Sequence, residues 1–324
     1  METSPHSRKF SQLAWGVLAY NLAVIVWGAY VRASGSGAGC GEHWPLCNGQ
    51  ILPRSPALET LVEFSHRITS GLALLGVLGL AIAARHSFPK GHIVRKGAGL
   101  SLIFILTEAL IGAGLVLLGL VATNSSFTRA FSMILHLTNT FVLLACLSLT
   151  AAWASGLPAP RKEGAPKGSL LLFTFGGLLV LAVGITGAIA ALGDTLFPAT
   201  TFLQGFRQDF AQTSHLLLKL RVLHPAFAIA TAGYLILAAR ALQAKGAKGH
   251  ALKASQGLIG LVLTQLSVGF VNLALLAPVP LQLIHLLLAE LVWIAWVILG
   301  AATFSQAPTS VTFLAARNVK ATPA

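Results

Sequence analysis

Charged side chains are scarce in this chain of 324 residues. Only 10% are Asp, Glu, Lys or Arg, against roughly 25% in an average soluble domain, and just 9 are acidic. So few charges cannot cover the surface of a soluble fold, which excludes that class. Disorder is excluded as well, because 55% of the residues are hydrophobic. The composition is typical of a protein that crosses the membrane several times.

The formal net charge is +13, from 22 basic and 9 acidic residues. In a membrane protein this sign is expected, because Lys and Arg accumulate in cytoplasmic loops. No basic stripe is interleaved with aromatic residues, so we predict no nucleic-acid partner.

Eight apolar segments are long enough to cross about 30 Å of hydrocarbon. The loops and tails on one side carry 15 Lys and Arg, and those on the other side carry 7. Both termini are therefore expected in the cytoplasm, and a bacterial inner membrane is the default location. The first segment ends at Arg32 without a clear cleavage site, so we expect it to remain as a span. The segments lie near 13–31, 63–84, 97–121, 131–154, 170–192, 220–242, 254–277 and 282–304.

The chain contains an internal repeat on either side of a Pro/Gly linker at 155–168. The second and sixth segments both place a His near the outer end and finish in Ala-Ala-Arg. The third segment contains TEALIGAG at 107–114, and the seventh contains the similar TQLSVGF at 264–270. Each half has the same number of crossings. The sequence therefore predicts an all-α membrane protein of two tandem four-helix bundles, at 1–158 and 159–324, related by a pseudo-two-fold axis along the membrane normal.

One His lies near the outer end of each even-numbered segment. Each is about four or five residues inside its segment, a depth of roughly 6–8 Å. Ionisable residues in a membrane usually face the bundle interior, where hydrogen bonds between helices are the simplest role. Four at matched depth favour ligation instead, and paired imidazoles can hold a haem iron. The predicted pairs, one per half, are His66 with His136 and His224 with His285.

Two of the three cysteines, Cys40 and Cys47, lie in the first outer loop. A disulfide is expected there, on the oxidising side of the membrane. It could be a structural staple or a redox-active pair, and two thiols are too few for a metal site. We expect Cys146, within the fourth segment, to be a small buried apolar residue.

Three carboxylates accompany the histidines. Glu63 precedes His66 by one helical turn and would border whatever His66 binds; a capping box with Thr60 is the other interpretation. Glu108 and Glu290 lie within the third and eighth segments, where each must be protonated or partnered.

The stretch GSGAGCGEHWPLCNGQ, followed by EFSHR, resembles the first outer loop and second helix of the haem A synthase family. The segments ALGDTLFPA at 191–199 and LRVLHP at 220–225 are similar to its second half. The resemblance covers essentially all eight segments. It implies oxidation of the C8 methyl group of haem O to a formyl group, through successive hydroxylations and loss of water.

The resemblance also assigns residues. His66 and His136 would hold the haem O substrate, with Glu63 as the catalytic residue beside the reacting edge. His224 and His285 would bind a haem b cofactor that transfers electrons. Cys40 and Cys47 match the family's extracytoplasmic disulfide pair.

Further partners follow from the same resemblance. They are haem O synthase, a quinone or another electron acceptor and the lipid bilayer, while a homo-oligomer is left open. Haem propionates could pair with four cations at the outer rim, for which interfacial snorkelling is the alternative. These cations are Arg67, Arg129, Lys219 and Arg221.

The chain departs from the family at three points, one of which is His43 in the cysteine loop. The 193–219 loop lacks the second cysteine pair that some members carry. Glu108 stands where an amide, like Gln265 of the other half, is expected.

Two other functions use the same features. A bis-histidine cytochrome that only passes electrons would use the four histidines but leaves Glu63 and the cysteine loop unexplained. A transporter would explain the repeat, but it predicts helices broken near the midplane, whereas prolines here lie mostly in loops or at helix ends.

Overall fold

A computed structural model describes residues 5–161 and 165–305, with side chains from residue 8 onward. Within these ranges the regular elements are helices, and the one β-bridge, between Cys47 and Gln50, belongs to no strand. Eight helical spans are long and apolar enough to cross a membrane. The all-α prediction is confirmed, and the chain is a multi-pass membrane protein. The basic residues of the tail, counted for orientation, lie outside the described ranges.

Ten α-helices and one short 3-10 helix, Ser36–Ala38, make up the fold. The sixth span, Leu216–Ala244, is divided between α7 and α8. The helices are α1 Pro5–Ala33, α2 Leu58–Ser87, α3 Ile93–Leu117, α4 Phe127–Ala154, α5 Ser169–Leu196, α6 Phe202–Phe210, α7 Leu216–Arg221, α8 Leu223–Ala244, α9 Gly249–Ala274 and α10 Val279–Phe304.

Most helices begin several residues before the apolar segments that predicted them. Polar residues can extend a helix where their side chains cap it, as Ser126 does by accepting a hydrogen bond from the backbone N–H of Arg129. The four histidines consequently lie six to nine residues inside their spans. This corresponds to about 9–14 Å from the span starts, so the sequence-based depth was too shallow.

The sixth span is interrupted at Val222, two residues before His224. Pro225 explains the break, because its ring clashes with the carbonyl four residues earlier, at Arg221. The interruption lies at the end of the span and not at its middle.

The loop predicted at 193–219 is more ordered than the sequence suggested. It contains α6, which begins after Thr201, whose hydroxyl accepts from the backbone N–H of Gln204 at 3.2 Å. This short helix escaped prediction because it is too short and too polar to be read as a span.

Two hydrophobic cores divide the protein. One is formed by α1 to α4 and the other mainly by α5 and α8 to α10. They meet where α1 and α4 contact α5 and α10, the first and last spans of each half. There Trp293 stacks on Phe141 with 5.3 Å between ring centroids, and its indole N–H donates to the carbonyl of Phe141 at 2.7 Å. The two-fold relation and the domain boundary at 158/159 stay predictions.

Candidate functional site

Each of the four predicted histidines packs against a glycine on the membrane span that precedes its own along the chain. A Cβ atom placed on the glycine would lie 2.9 Å from the ring in two cases, 3.0 Å in one and 3.9 Å in the last. Small residues let neighbouring helices approach closely. Each histidine therefore has a glycine neighbour on the preceding span, and sequence reasoning missed this repeated pairing. The pairs are Gly28 with His66, Gly269 with His285, Gly187 with His224 and Gly112 with His136.

In the second half, His224 and His285 face each other with 6.3 Å between ring centroids and ring planes at 89°. A metal–imidazole bond is about 2.0–2.1 Å, so two imidazoles that share one metal ion have ring centres roughly 6.4 Å apart. His224 Nδ1 lies 3.2 Å from the hydroxyl of Thr186. The amide of Gln265 lies 3.4 Å from Nε2 of His285. The structure thus brings this predicted pair together.

In the first half, His66 lies within electrostatic range of His136 and of Arg67. The Nδ1 atoms of both histidines are buried, and neither makes an aligned hydrogen bond within the described ranges. His136 Nδ1 is nevertheless 3.4 Å from Oε1 of Glu108. The carboxylate therefore lies beside the ring without the alignment of a hydrogen bond.

Glu63 joins the cysteine loop to the helix of His66. Its side chain is 3% exposed. Oε2 accepts from the backbone N–H of Cys40 at 2.8 Å, and Oε1 accepts from Arg67, whose Nε lies at 3.1 Å. The carboxyl group is therefore held from two sides. It lies on the predicted face, one turn before His66.

The capping-box interpretation of Thr60 and Glu63 is wrong. The helix begins at Leu58 with Ala57 at the N-cap position, which makes no side-chain cap. Thr60 instead donates its hydroxyl to the carbonyl of Gly39 at 2.7 Å. Both predicted capping residues bind the backbone of the cysteine loop, because that loop folds back over the start of α2.

Cys40 and Cys47 form the predicted disulfide, and both are fully buried. Arg67 closes the same loop by donating to the carbonyls of His43 and Leu46, both at 2.6 Å. Burial favours the staple interpretation, because exposed disulfides are the labile ones. Cys146 is a free thiol, partly buried in α4.

The four cations proposed for propionates all have protein partners. Arg67 binds Glu63, Arg129 is buried and donates to the carbonyls of Ala122 and Asn124, and Lys219 donates to the carbonyl of Gln212. These contacts fix loops at the end of the bundle that carries the cysteine loop.

Arg221, the fourth cation, bridges Asp194 and Asp209 at 2.8 and 2.7 Å. Burial raises the pKa of Asp209, and Arg221 opposes that shift. Propionate binding by any of the four stays a prediction.

Glu290 and Arg32 lie where the halves meet. Glu290 is 1% exposed, and its Oε2 has no hydrogen bond among the described residues. Arg32, which sequence reasoning assigned no role, reaches from α1 to the other half, where it donates to the carbonyl of Ala191 and the hydroxyl of Thr195, both at 2.7 Å. Its other Nη atom donates to Gln282 at 3.2 Å.

The residues present fit a haem in each half. The spacing of His224 and His285 suits one shared metal ion, and the Nδ1 atoms of His66 and His285 are buried without a hydrogen bond among the described residues. Clusters of three or more His, Cys, Asp or Glu that could hold a bare metal ion are absent from 5–161 and 165–305. Two-imidazole ligation within a planar macrocycle needs only the observed pair.

Comparison with known proteins gives a family match and several relatives. Residues 11–297 match the COX15-CtaA family, described as cytochrome oxidase assembly protein. The chain is similar to Heme A synthase of Halalkalibacterium halodurans, with 38% identity over 42% of this chain and 44% of the relative. It is also similar to Heme A synthase of Alkalihalophilus pseudofirmus, with 42% identity over 30% of this chain and 33% of the relative.

A longer alignment pairs the chain with a protein named Protoheme IX farnesyltransferase, from Thermus thermophilus. The identity is 47% over 94% of this chain but only 50% of the relative. The chain therefore spans about half the length of this relative.

Proposed function

Because the chain belongs to the COX15-CtaA family of cytochrome oxidase assembly proteins, we propose that it forms haem A from haem O. The reaction oxidises the C8 methyl group of the porphyrin to a formyl group and supplies haem A to terminal oxidases. The observation that carries the proposal is the pairing of two histidines in each half, with Glu63 one turn from the first pair.

The first half is proposed as the catalytic half. His66 and His136 would hold the iron of haem O, and the close contact with Gly28 restricts where the ring of His66 stands. Haem O then presents its edge to groups near the cysteine-loop end. Positioning of this kind lowers the barrier by removing the entropy of orientation.

Glu63 is proposed to act through its charge. Removing electrons from a methyl carbon builds positive charge there, and a buried carboxylate stabilises such charge strongly in a low dielectric. Arg67 neutralises part of this charge and holds the carboxylate in place. To take a proton as a base, Glu63 would first have to release Arg67, so the contacts favour electrostatic stabilisation.

The second half is proposed to hold haem b between His224 and His285. When water supplies the formyl oxygen, oxidation of a methyl to a formyl group releases electrons and protons that must leave the site, and haem b, when bound, would supply one-electron transfer for these electrons. A quinone or a similar carrier is the proposed final acceptor. The proposed enzyme oxidises haem O in one half and transfers electrons in the other, whereas a cytochrome would only pass electrons.

We do not propose farnesyl transfer for this chain, although the Thermus relative is named for that activity. Transfer from a prenyl diphosphate requires carboxylates that hold divalent cations against the diphosphate. The whole chain has two aspartates, Asp194 and Asp209, and both bind Arg221. The relative is twice as long, so its other half can carry the named activity. A farnesyltransferase that makes haem O is accordingly a proposed partner.

The proposed location is a bacterial inner membrane with both termini in the cytoplasm. The distribution of Lys and Arg between the two sets of loops supports this orientation. The cysteine loop then lies on the oxidising side, consistent with its disulfide.

The test is to express the full chain in bacterial membranes that contain haem O and lack any other haem A-forming protein. Haems are extracted from the purified protein, separated by chromatography and identified by mass. We expect haem B together with haem O or haem A, and haem A in the membranes.

The matched variant is Glu63→Gln, which keeps an oxygen for the N–H of Cys40 and removes the charge together with the oxygen that accepts from Arg67. It should retain both haems and form little haem A. Haem B alone in the wild-type protein would favour the cytochrome, and a protein without haem would favour the transporter. Normal haem A formation by Glu63→Gln would remove the role of its charge.

A further inference from the structure

The two halves differ beside one histidine of each pair. Thr107-Glu108 on α3 corresponds in the repeat to Thr264-Gln265 on α9. Glu108 Oε1 lies 3.4 Å from Nδ1 of His136, and the amide of Gln265 lies 3.4 Å from Nε2 of His285. A carboxylate thus faces the Nδ1 side of one imidazole, and a neutral amide faces the Nε2 side of the other.

The carboxylate is held in place by the helix that carries His136. Thr140 donates its hydroxyl to Oε1 of Glu108, and Asn139 donates its amide to Oε2 at 2.5 Å. Asn139 is fixed in turn by the hydroxyl of Thr107 at 2.5 Å and by the carbonyl of Phe104 at 2.8 Å. Three polar side chains, those of Thr107, Asn139 and Thr140, therefore hold one carboxylate in place inside an apolar bundle.

The second half lacks two of these polar side chains. Leu288 and Ala289 occupy the positions, three and four residues after the histidine, that Asn139 and Thr140 occupy in the first half. Oε1 of Gln265 makes no hydrogen bond within the described part of the chain. The difference between the halves is thus built by three side chains and not by a single substitution.

We infer that Glu108 tunes the iron site of the first half through His136, making its reduction potential lower than that of the second half. The inference rests on the proposed function, because it needs a haem at each histidine pair. A carboxylate near the second nitrogen of a ligating imidazole makes the ring a stronger electron donor. Stronger donation and nearby negative charge stabilise the oxidised iron, which lowers the potential. The neutral amide of Gln265 does this less.

The difference gives electron transfer a direction. Electrons released by oxidation of the substrate in the first half move downhill to the haem of the second half. The order of the potentials would therefore be set by one residue of each repeat. Glu108 is a positioning and tuning residue in this scheme, because it acts through His136 and is not assigned contact with the substrate.

The experiment is a redox titration of the purified full-length protein, followed by its optical and electron paramagnetic resonance spectra, with haem loaded in both halves. Glu108→Gln should raise the potential of one haem and leave the other unchanged. We expect the ratio of oxidised to reduced haem at a fixed potential to fall about tenfold, which is 59 mV for one electron. The reciprocal change, Gln265→Glu, should lower the potential of the other haem.

Thr140→Val serves as a second variant, because it removes a donor to the carboxylate without changing the charge. It should shift the same haem as Glu108→Gln, by less. If Glu108→Gln binds both haems and neither potential moves, the inference is overturned while the proposed function stands. A wild-type chain that binds no haem overturns both. Movement of both potentials to the same extent would show a general structural effect and would also overturn the inference.

Discussion

A Cβ atom placed on Gly28 would lie 2.9 Å from Cε1 and 3.0 Å from Nε2 of His66. Real Cβ atoms almost never approach that closely, so His66 can keep its position only while residue 28 is glycine. The same contact recurs between Gly269 of α9 and His285 of α10. The glycines therefore fix the imidazole positions in both halves.

Gly28→Ala is expected to displace His66 and weaken haem binding in the first half. Overpacking a filled site costs about 1–3 kcal/mol, so the affinity should fall by roughly five- to hundredfold. The loss should occur although alanine favours a helix more than glycine does. The measurement is haem content per chain and the optical spectrum of the purified variant.

The chain offers a matched control in Gly112, where a Cβ would lie 3.9 Å from Cε1 of His136, an ordinary contact distance. Gly112→Ala should bind haem as the unchanged protein does. Equal losses from both variants would mean that the close contact at His66 is not the cause.

Arg67→Ala is expected to destabilise the protein by about 3–5 kcal/mol, because it leaves the buried carboxylate of Glu63 without its cation. It also removes two hydrogen bonds to the cysteine loop. Thermal unfolding in detergent measures the effect. Arg54→Ala, an exposed change in the same loop, is the control and should change stability by less than about 0.5 kcal/mol. Similar melting temperatures for the two variants would contradict this account of Glu63.

Some of this site could be predicted from the sequence, because the same histidine pattern occurs in both repeats. One histidine in a helix is ambiguous, whereas matched histidines in both halves indicated pairs. The helical period likewise placed Glu63 on the face of His66. Both conclusions depend on local spacing along a helix, which a sequence contains.

Contacts between distant segments could not be predicted in the same way. Thr60 and Glu63 were open to a capping-box interpretation because nothing in the sequence says that the loop around Cys40 folds back over α2. The contacts between glycines and histidine rings were missed because they depend on which faces of two helices meet. The break before His224 had a signal in Pro225, which the apolar run around it concealed.

Arg32→Ala is expected to loosen the contact between the halves. It deletes hydrogen bonds from a buried cation to Ala191, Thr195 and Gln282, each worth about 1.5–3 kcal/mol in such settings, of which part is recovered by removing the buried charge. We expect a lower melting temperature, measured by thermal unfolding in detergent. Arg32→Lys should recover little, because an ammonium cannot span the carbonyl, hydroxyl and amide acceptors as a guanidinium does. An unchanged melting temperature in Arg32→Ala would count against this role.

Glu290 is expected to tolerate loss of its charge. Its Oε2 is buried without a hydrogen bond in the described part of the chain, so an ionised carboxylate there is costly. Glu290→Gln and Glu290→Leu should therefore keep the melting temperature or raise it, since replacing a poorly compensated buried charge is often neutral or stabilising. The measurement is thermal unfolding together with haem content. A clear loss of stability in both variants would show that Glu290 binds a partner that its surroundings do not reveal. Retained stability with lost haem A formation would instead point to a role for this carboxylate in moving protons between the halves.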